Sequence, residues 1–166
     1  MQAKDNIILT HEQIQHKIKR MAYQIYETNV DEKEVILAGI AENGFILAQR
    51  LKVILEDISG IIVTLCKVTM DKPSPQNTVK TSLSPSTYEN KALILVDDVL
   101  NSGTALIYGV KHFLDVPLTR FKTVVLVNRN HKKYPIKADF KGISLSTSSH
   151  EHVTVTFGDR DIAILE

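Results

Sequence analysis

The sequence predicts an α/β fold, a mainly parallel twisted sheet flanked by helices, within one domain spanning residues 1–166. Three observations lead there. Short apolar runs alternate with segments of helical spacing, the order that builds a parallel sheet with helices on both faces. The runs themselves are apolar throughout, as strands covered on both faces are. The composition, 43% hydrophobic and 23% charged, is that of a globular chain able to bury about 70% of its unfolded surface.

The first helix is read in "ILTHEQIQHKIKRMAYQIYE". Thr10 is a strong N-cap and Gln13 completes a capping box. Ile14, Ile18, Met21, Ala22 and Ile25 recur on one face; His11, His16, Lys17, Lys19 and Arg20 occupy the other. "EVILAGI" (34–40) suits a buried strand, "GFILAQRLKVILEDI" (44–58) a helix, and the β-branched "GIIVTLCKV" (60–68) the next strand. The single cysteine, Cys66, lies inside that run and is expected to be a buried thiol. Residues 69–91 then lose all periodicity and hold three of the five prolines. A loop of that length in a compact domain is expected to be a flexible lid over an active site, or else a floppy insertion or a β-hairpin arm. "ALILV" (92–96) is a buried strand, and "TALIYGVKHFL" (104–114) is a helix with Ala105, Leu106, Val110 and Phe113 or Leu114 facing inward. "KTVVLVNRN" (122–130) is a strand and "HKKYPIKADFKGI" a polar connection. "HVTVTFGDRDIAIL" alternates in period two around Gly158-Asp159 and predicts a terminal hairpin.

Several function classes drop out. The formal net charge of +1 makes no global electrostatic case for nucleic acid. One cysteine excludes an intrachain disulfide and a multi-cysteine zinc site. His131 and His150 have no metal-spaced partners, so no metal ligands are assigned. No apolar stretch approaches the ~20 residues that span a bilayer. The N-terminus lacks a signal peptide's apolar core, so the cytoplasm is the expected location and no membrane partner is expected.

The chemistry concentrates in "ALILVDDVLNSGTALIYGV" (92–110). Asp97 and Asp98 follow an apolar run and so stand at the carboxyl end of a strand, where ligands of such sheets collect. Two adjacent carboxylates suit the vicinal 2′ and 3′ hydroxyls of a ribose. Asn101, Ser102, Gly103 and Thr104 form a turn at a helix N-terminus, whose backbone N–H groups and dipole suit a phosphate. Gly103 permits close backbone approach, and Ser102 and Thr104 add hydroxyl donors. A ribose and its 5′-phosphate are one molecule, so the two halves describe one ligand, a phosphorylated ribose.

"LILVDDVLNSGT" resembles the phosphoribosyl-pyrophosphate signature of the type I phosphoribosyltransferases. "ILAGIAENGFILAQRLKVIL" and "VVLVNRNHKKYPIKADFKGISLSTSSHEHVTVTF" are similar to the pyrophosphate-loop and C-terminal regions of the bacterial pyrimidine operon attenuation family. Members of that family bind RNA as regulators and act as uracil phosphoribosyltransferases. The resemblance implies the type I phosphoribosyltransferase fold and transfer of phosphoribosyl from phosphoribosyl pyrophosphate to a nucleobase, uracil first. It implies that Asp97 and Asp98 hold the ribose and that Asn101, Ser102, Gly103, Thr104 and Ala105 wrap the 5′-phosphate. Ala41, Glu42, Asn43 and Gly44 would meet pyrophosphate, and Ile136, Lys137, Ala138 and Asp139 would lie near the nucleobase. Mg²⁺ would arrive with the substrate's pyrophosphate, and the protein would be a homodimer or higher homo-oligomer. The family's pyrophosphate loop has a pattern like Lys-Thr-Arg-Gly; Ala41-Glu42-Asn43-Gly44 lacks its cations, which predicts weak pyrophosphate affinity. Two alternatives are an RNA-binding regulator sensing nucleotide in the same pocket and a purine-type transferase. His16, Lys17, Lys19 and Arg20, with Arg129, His131, Lys132, Lys133 and Lys137, are the candidate basic surface for RNA.

Overall fold

The computed structural model describes residues 6–71 and 73–166. Its frame is a six-stranded sheet in the order β4-β3-β2-β5-β6-β7. The strands are β2 (Glu34–Ile40), β3 (Ile62–Thr69), β4 (Lys80–Thr81), β5 (Ala92–Leu100), β6 (Arg120–Arg129) and β7 (Phe140–Leu145). Only β4 runs antiparallel to its neighbour; all other pairs are parallel. β5 sits at the centre and is buried over nearly its whole length.

Helices α1 (His11–Thr28) and α2 (Asn43–Ile58) cover one face. The capping box forms as the sequence requires: Gln13 N–H donates to Thr10 Oγ1 at 3.3 Å and Thr10 N–H to Gln13 Oε1 at 2.9 Å. Ile14, Ile18, Met21, Ala22 and Ile25 are the buried stripe. The other face is closed by α4 (Thr104–Phe113) and the short α3 (Pro85–Tyr88), around Leu106, Phe113 and Tyr88. Leu114, a candidate inward residue, is exposed; Phe113 takes the core position. Cys66 is buried among these side chains, and burial raises its thiol pKa.

A second sheet of three strands, β1 (Ile7–Leu9), β9 (Ile162–Leu165) and β8 (Val153–Thr156), stands beside the first. The terminal hairpin is therefore real, but residues 157–161 make its loop instead of a two-residue Gly158-Asp159 turn. Asp161 explains the longer loop. Its buried carboxylate accepts from Gly158 N–H at 3.0 Å, from Gln15 Nε2 at 2.6 Å and from Arg50. One acid thus joins the hairpin to α1 and α2. Burial pushes its pKa up, but the hydrogen bonds from Arg50, Gly158 and Gln15 outweigh burial and hold it below the ordinary carboxylate value.

Three strands, β1, β4 and β7, lie outside the runs that the sequence marks as strands. β1 has only three residues, and its partner β9 lies at the opposite end of the chain. β7 begins within the polar connection and runs past its end, where an edge strand half open to water loses its apolar signature. The 69–91 segment divides. Its second half belongs to the fold: β4 pairs with β3, and the Tyr88 ring packs edge-on against Phe113 at 5.0 Å. A lid can be drawn only from the first half, around the turn at Pro75–Asn77.

Candidate active site

β5 continues through the acids to Leu100, so Asp97 and Asp98 are strand residues near its carboxyl end. Asp97 is 2% exposed, and its Oδ1 accepts the Asp98 N–H at 2.9 Å. Asp98 is half-buried; its Oδ1 accepts Val99 N–H at 2.8 Å and its Oδ2 accepts Asn43 Nδ2 at 3.0 Å. The same Asn43 nitrogen donates to the Val155 carbonyl of β8 at 2.8 Å. One amide thereby ties an acid of the central strand to the small sheet. Gly44 makes this approach possible. A Cβ there would lie 2.6 Å from the Val96 carbonyl oxygen and 3.2 Å from Asp97 Oδ1.

The turn after β5 behaves as its residues demand. Gly103 is left-handed, with φ +89°, and caps the N-terminus of α4. Ser102 Oγ and Thr104 Oγ1 are 2.8 Å apart, and Thr104 N–H donates to Ser102 Oγ at 3.3 Å. The Ser102 carbonyl accepts the N–H groups of Lys133 and Tyr134 at 2.7 and 3.1 Å, which clamps the 131–136 segment onto the turn. Ile136 closes the contact: a Cβ on Gly103 would meet its Cγ2 at 2.6 Å.

Asp97, the turn 101–105, Val125, Pro73 and Lys133 border one cavity of about 380 Å³. That volume is within the range of small-molecule sites. The acid and the helix-terminal turn therefore face one space, as a phosphorylated ribose requires.

The loop 41–44 lies beside the acids and outside the cavity wall. Its Ala41–Glu42 peptide is cis. Ala41 N–H donates to the Val68 carbonyl at 2.8 Å, and the Glu42 carbonyl accepts from Phe45 and Ile46. The exposed Glu42 carboxylate meets Lys67 Nζ at 3.3 Å. The stretch 136–139 is not assembled at the cavity as a unit. Ile136 reaches the turn and Ala138 is core, but Lys137 is exposed. Asp139 Oδ2 accepts Thr123 N–H at 2.8 Å, two residues below Val125, the cross-strand partner of Asp97. Its carboxylate is thus spent toward the amino end of β6.

Three polar residues near the carboxyl end of β6 have surroundings that the sequence does not predict. Arg129, grouped there with exposed cations, is 6% exposed; its guanidinium donates to the Ser148 carbonyl at 2.8 Å, to Thr147 Oγ1 and to Asn101 Oδ1. Asn128 is 4% exposed, its Nδ2 donates to Ser144 Oγ at 3.1 Å, and its Oδ1 has no partner among the described residues. Lys133 borders the cavity instead of a basic face. The available signal was position: Asn128 and Arg129 end a buried strand, where polar side chains need a reason. Among the described residues no three His, Cys, Asp or Glu side chains gather as a metal cage. Two neighbouring carboxylates beside a helix-terminal turn suit Mg²⁺ held mainly by waters and substrate phosphates.

The phosphoribosyl transferase domain family matches residues 5–161. The bifunctional protein PyrR of Streptococcus mutans is 34% identical over 149 residues, covering 87% of this chain and 84% of that protein. The bifunctional protein PyrR of Bacillus pumilus is 33% identical, covering 93% and 92%. Among solved structures, the hypoxanthine phosphoribosyltransferase of Trypanosoma cruzi in complex with its product IMP superposes with a TM-score of 0.77 at 20% identity, over 97% of this chain and 94% of that one. A hypoxanthine-guanine phosphoribosyltransferase of Bacillus anthracis gives 0.72 at 20% identity, over 84% and 82%. These likenesses are of fold. With acids, turn and cavity arranged as described, the chain belongs to the phosphoribosyl transferase domain family.

Proposed function

We propose that the protein transfers phosphoribosyl from phosphoribosyl pyrophosphate to a nucleobase, uracil first, giving the nucleoside monophosphate and pyrophosphate. One observation carries this: a buried acid of the central strand and an amide-rich turn at a helix N-terminus share one cavity of about 380 Å³. Asp97 and Asp98 accept the ribose hydroxyls, and Asn43 and the Val99 N–H keep Asp98 oriented. The turn from Asn101 to Ala105 holds the 5′-phosphate. With both ends of the sugar fixed, C1′ is presented to the base at one angle, and orientation supplies much of the catalysis. The acids bind the sugar and do not attack it, so no covalent intermediate forms. Mg²⁺ on the pyrophosphate would offset its charge as it leaves, with Asp97 and Asp98 the residues near enough to organise it through water. Pro73, at the cavity edge, belongs to the part of 69–91 that would close over the substrate and exclude water from an oxocarbenium-like transition state. Base selection would fall to the carboxyl end of β6, where Asn128 Oδ1 awaits a donor. The protein would work as a homodimer or higher homo-oligomer in the cytoplasm.

The test is a panel of uracil, hypoxanthine, guanine and adenine with phosphoribosyl pyrophosphate and Mg²⁺, following pyrophosphate release. Uracil is expected to react fastest. Release with purines alone would replace the uracil reading. Asp97→Asn and Asp98→Asn are each expected to lower kcat/KM by roughly 10-fold or more, the scale of one charged hydrogen bond. Unchanged kinetics in both would remove them from the site.

A second activity, RNA binding, is favoured by one specific observation. Lys132 has its pKa lowered by burial and then by Lys141 and Lys137, so these cations share one field. Arg20 of α1 joins them by donating to the Lys141 and Gly142 carbonyls at 3.1 and 2.8 Å. The curated relatives are named bifunctional. An RNA hairpin bound through this face should dissociate steeply with salt and respond to uridine nucleotide. Binding that is blind to sequence and to salt would end this reading.

A further inference from the structure

The geometry points to Lys133 as the counter-ion of the ligand's 5′-phosphate. The inference rests on the phosphoribosyl reading of the cavity and adds a residue to it. A phosphate monoester carries close to two negative charges at neutral pH. The turn that meets it offers backbone N–H groups, the Ser102 and Thr104 hydroxyls and the helix dipole, all without formal charge. Those two hydroxyls already engage each other at 2.8 Å. The same cavity wall contains the Asp97 carboxylate, which opposes an anion. Among the described residues Lys133 is the cation in that wall.

Its placement is built. The Lys133 N–H donates to the Ser102 carbonyl at 2.7 Å, so the residue is registered against the turn itself. Ile136 presses on Gly103 from the same segment, and the Tyr134 ring stands edge-on to Tyr108 of α4 at 6.2 Å. The ammonium lies 5.7 Å from the Tyr134 ring centroid and forms no ion pair among the described residues. Lysine suits this work: a compact charge on a flexible stem reaches a phosphate from an exposed backbone.

The experiment compares binding of uridine 5′-monophosphate, ribose 5-phosphate and uridine to the full chain by titration calorimetry. Wild type should bind the two phosphorylated ligands far more tightly than uridine. Lys133→Gln should weaken both by roughly 10- to 100-fold and leave uridine unchanged, since a charged hydrogen bond acts only on the anion. Lys133→Arg should restore most of the loss, and Lys111→Gln, which removes a cation on α4 outside the cavity wall, should change nothing. If Lys133→Gln keeps the wild-type preference for phosphate, or Lys111→Gln erodes it equally, the assignment to Lys133 is overturned. If wild type itself shows no preference for phosphorylated ligands, the phosphoribosyl reading of the cavity fails first.

Discussion

Glu42 shows what one side chain does to this site. The loop beside Asp97 and Asp98 carries a carboxylate that occupies Lys67 at 3.3 Å, and under the proposed function pyrophosphate would approach that carboxylate as an anion. Glu42→Gln removes the repulsion and releases the ammonium. The Michaelis constant for phosphoribosyl pyrophosphate should fall by roughly threefold or more, with the uracil constant unchanged, since exposed pairs carry up to about 1 kcal/mol. Gly103 is constrained from two sides, by φ +89° and by the Ile136 methyl group. Gly103→Ala should cost about 1–2 kcal/mol in backbone strain alone and lower Tm by a few degrees. It should also weaken phosphate binding, because the turn must shift off Ile136. Asn128→Leu fills the space of the amide and removes the waiting acceptor. Binding of ribose 5-phosphate should persist while the preference among nucleoside monophosphates narrows; equal discrimination in the variant would move the base elsewhere.

The small sheet joins the core through the apolar side chains of Leu9, Val155 and Ala163 and through two polar junctions, Asn43 to Val155 and the Asp161 cluster. Asp161→Ala strands Arg50 and Gln15 and leaves Gly158 N–H without its acceptor. A loss of about 2 kcal/mol is expected, the scale of charged hydrogen bonds at a partly open site. Thermal unfolding should fall by roughly 4–8 °C for a chain of this length. The pH dependence follows from the direction of the shift. The folded carboxyl titrates below its unfolded value, so its stabilisation is complete above about pH 4 and is lost as pH falls through the folded value. Asp161→Asn should flatten the acid limb of a stability profile; an unchanged limb would show that other groups carry it.

At the scale of the whole molecule, site and fold are one construction. The cavity exists because β5 is central and α4 starts directly after it, so the cavity spans strand end and helix start. A nucleotide that binds only the folded state stabilises it by about 2.7 kcal/mol at 100 times its dissociation constant. Saturating uridine 5′-monophosphate should therefore raise Tm by roughly 5–10 °C, and Asp97→Asn should abolish most of that shift. No helix among the described residues is long and apolar enough to cross a membrane.

What the sequence determined by itself is local: the α1 capping box and its stripe, the apolar central strands, a Gly103 turn at a helix N-terminus and the acid pair at a strand end. Each is written in residues within a few positions of one another, where periodicity and turn chemistry act. What only the tertiary structure decided joins distant positions. β1 exists because residues some 150 positions away supply its hydrogen bonds. Arg129 left the expected basic surface because Thr147 and Ser148 fold over it. Asp139 was drawn from the expected base site by the Thr123 backbone. Lys133 entered the cavity because Ser102 captured its backbone N–H. Chain composition cannot encode such pairings, since a buried polar group's partner is set by whichever backbone the fold brings within 3 Å or so of it.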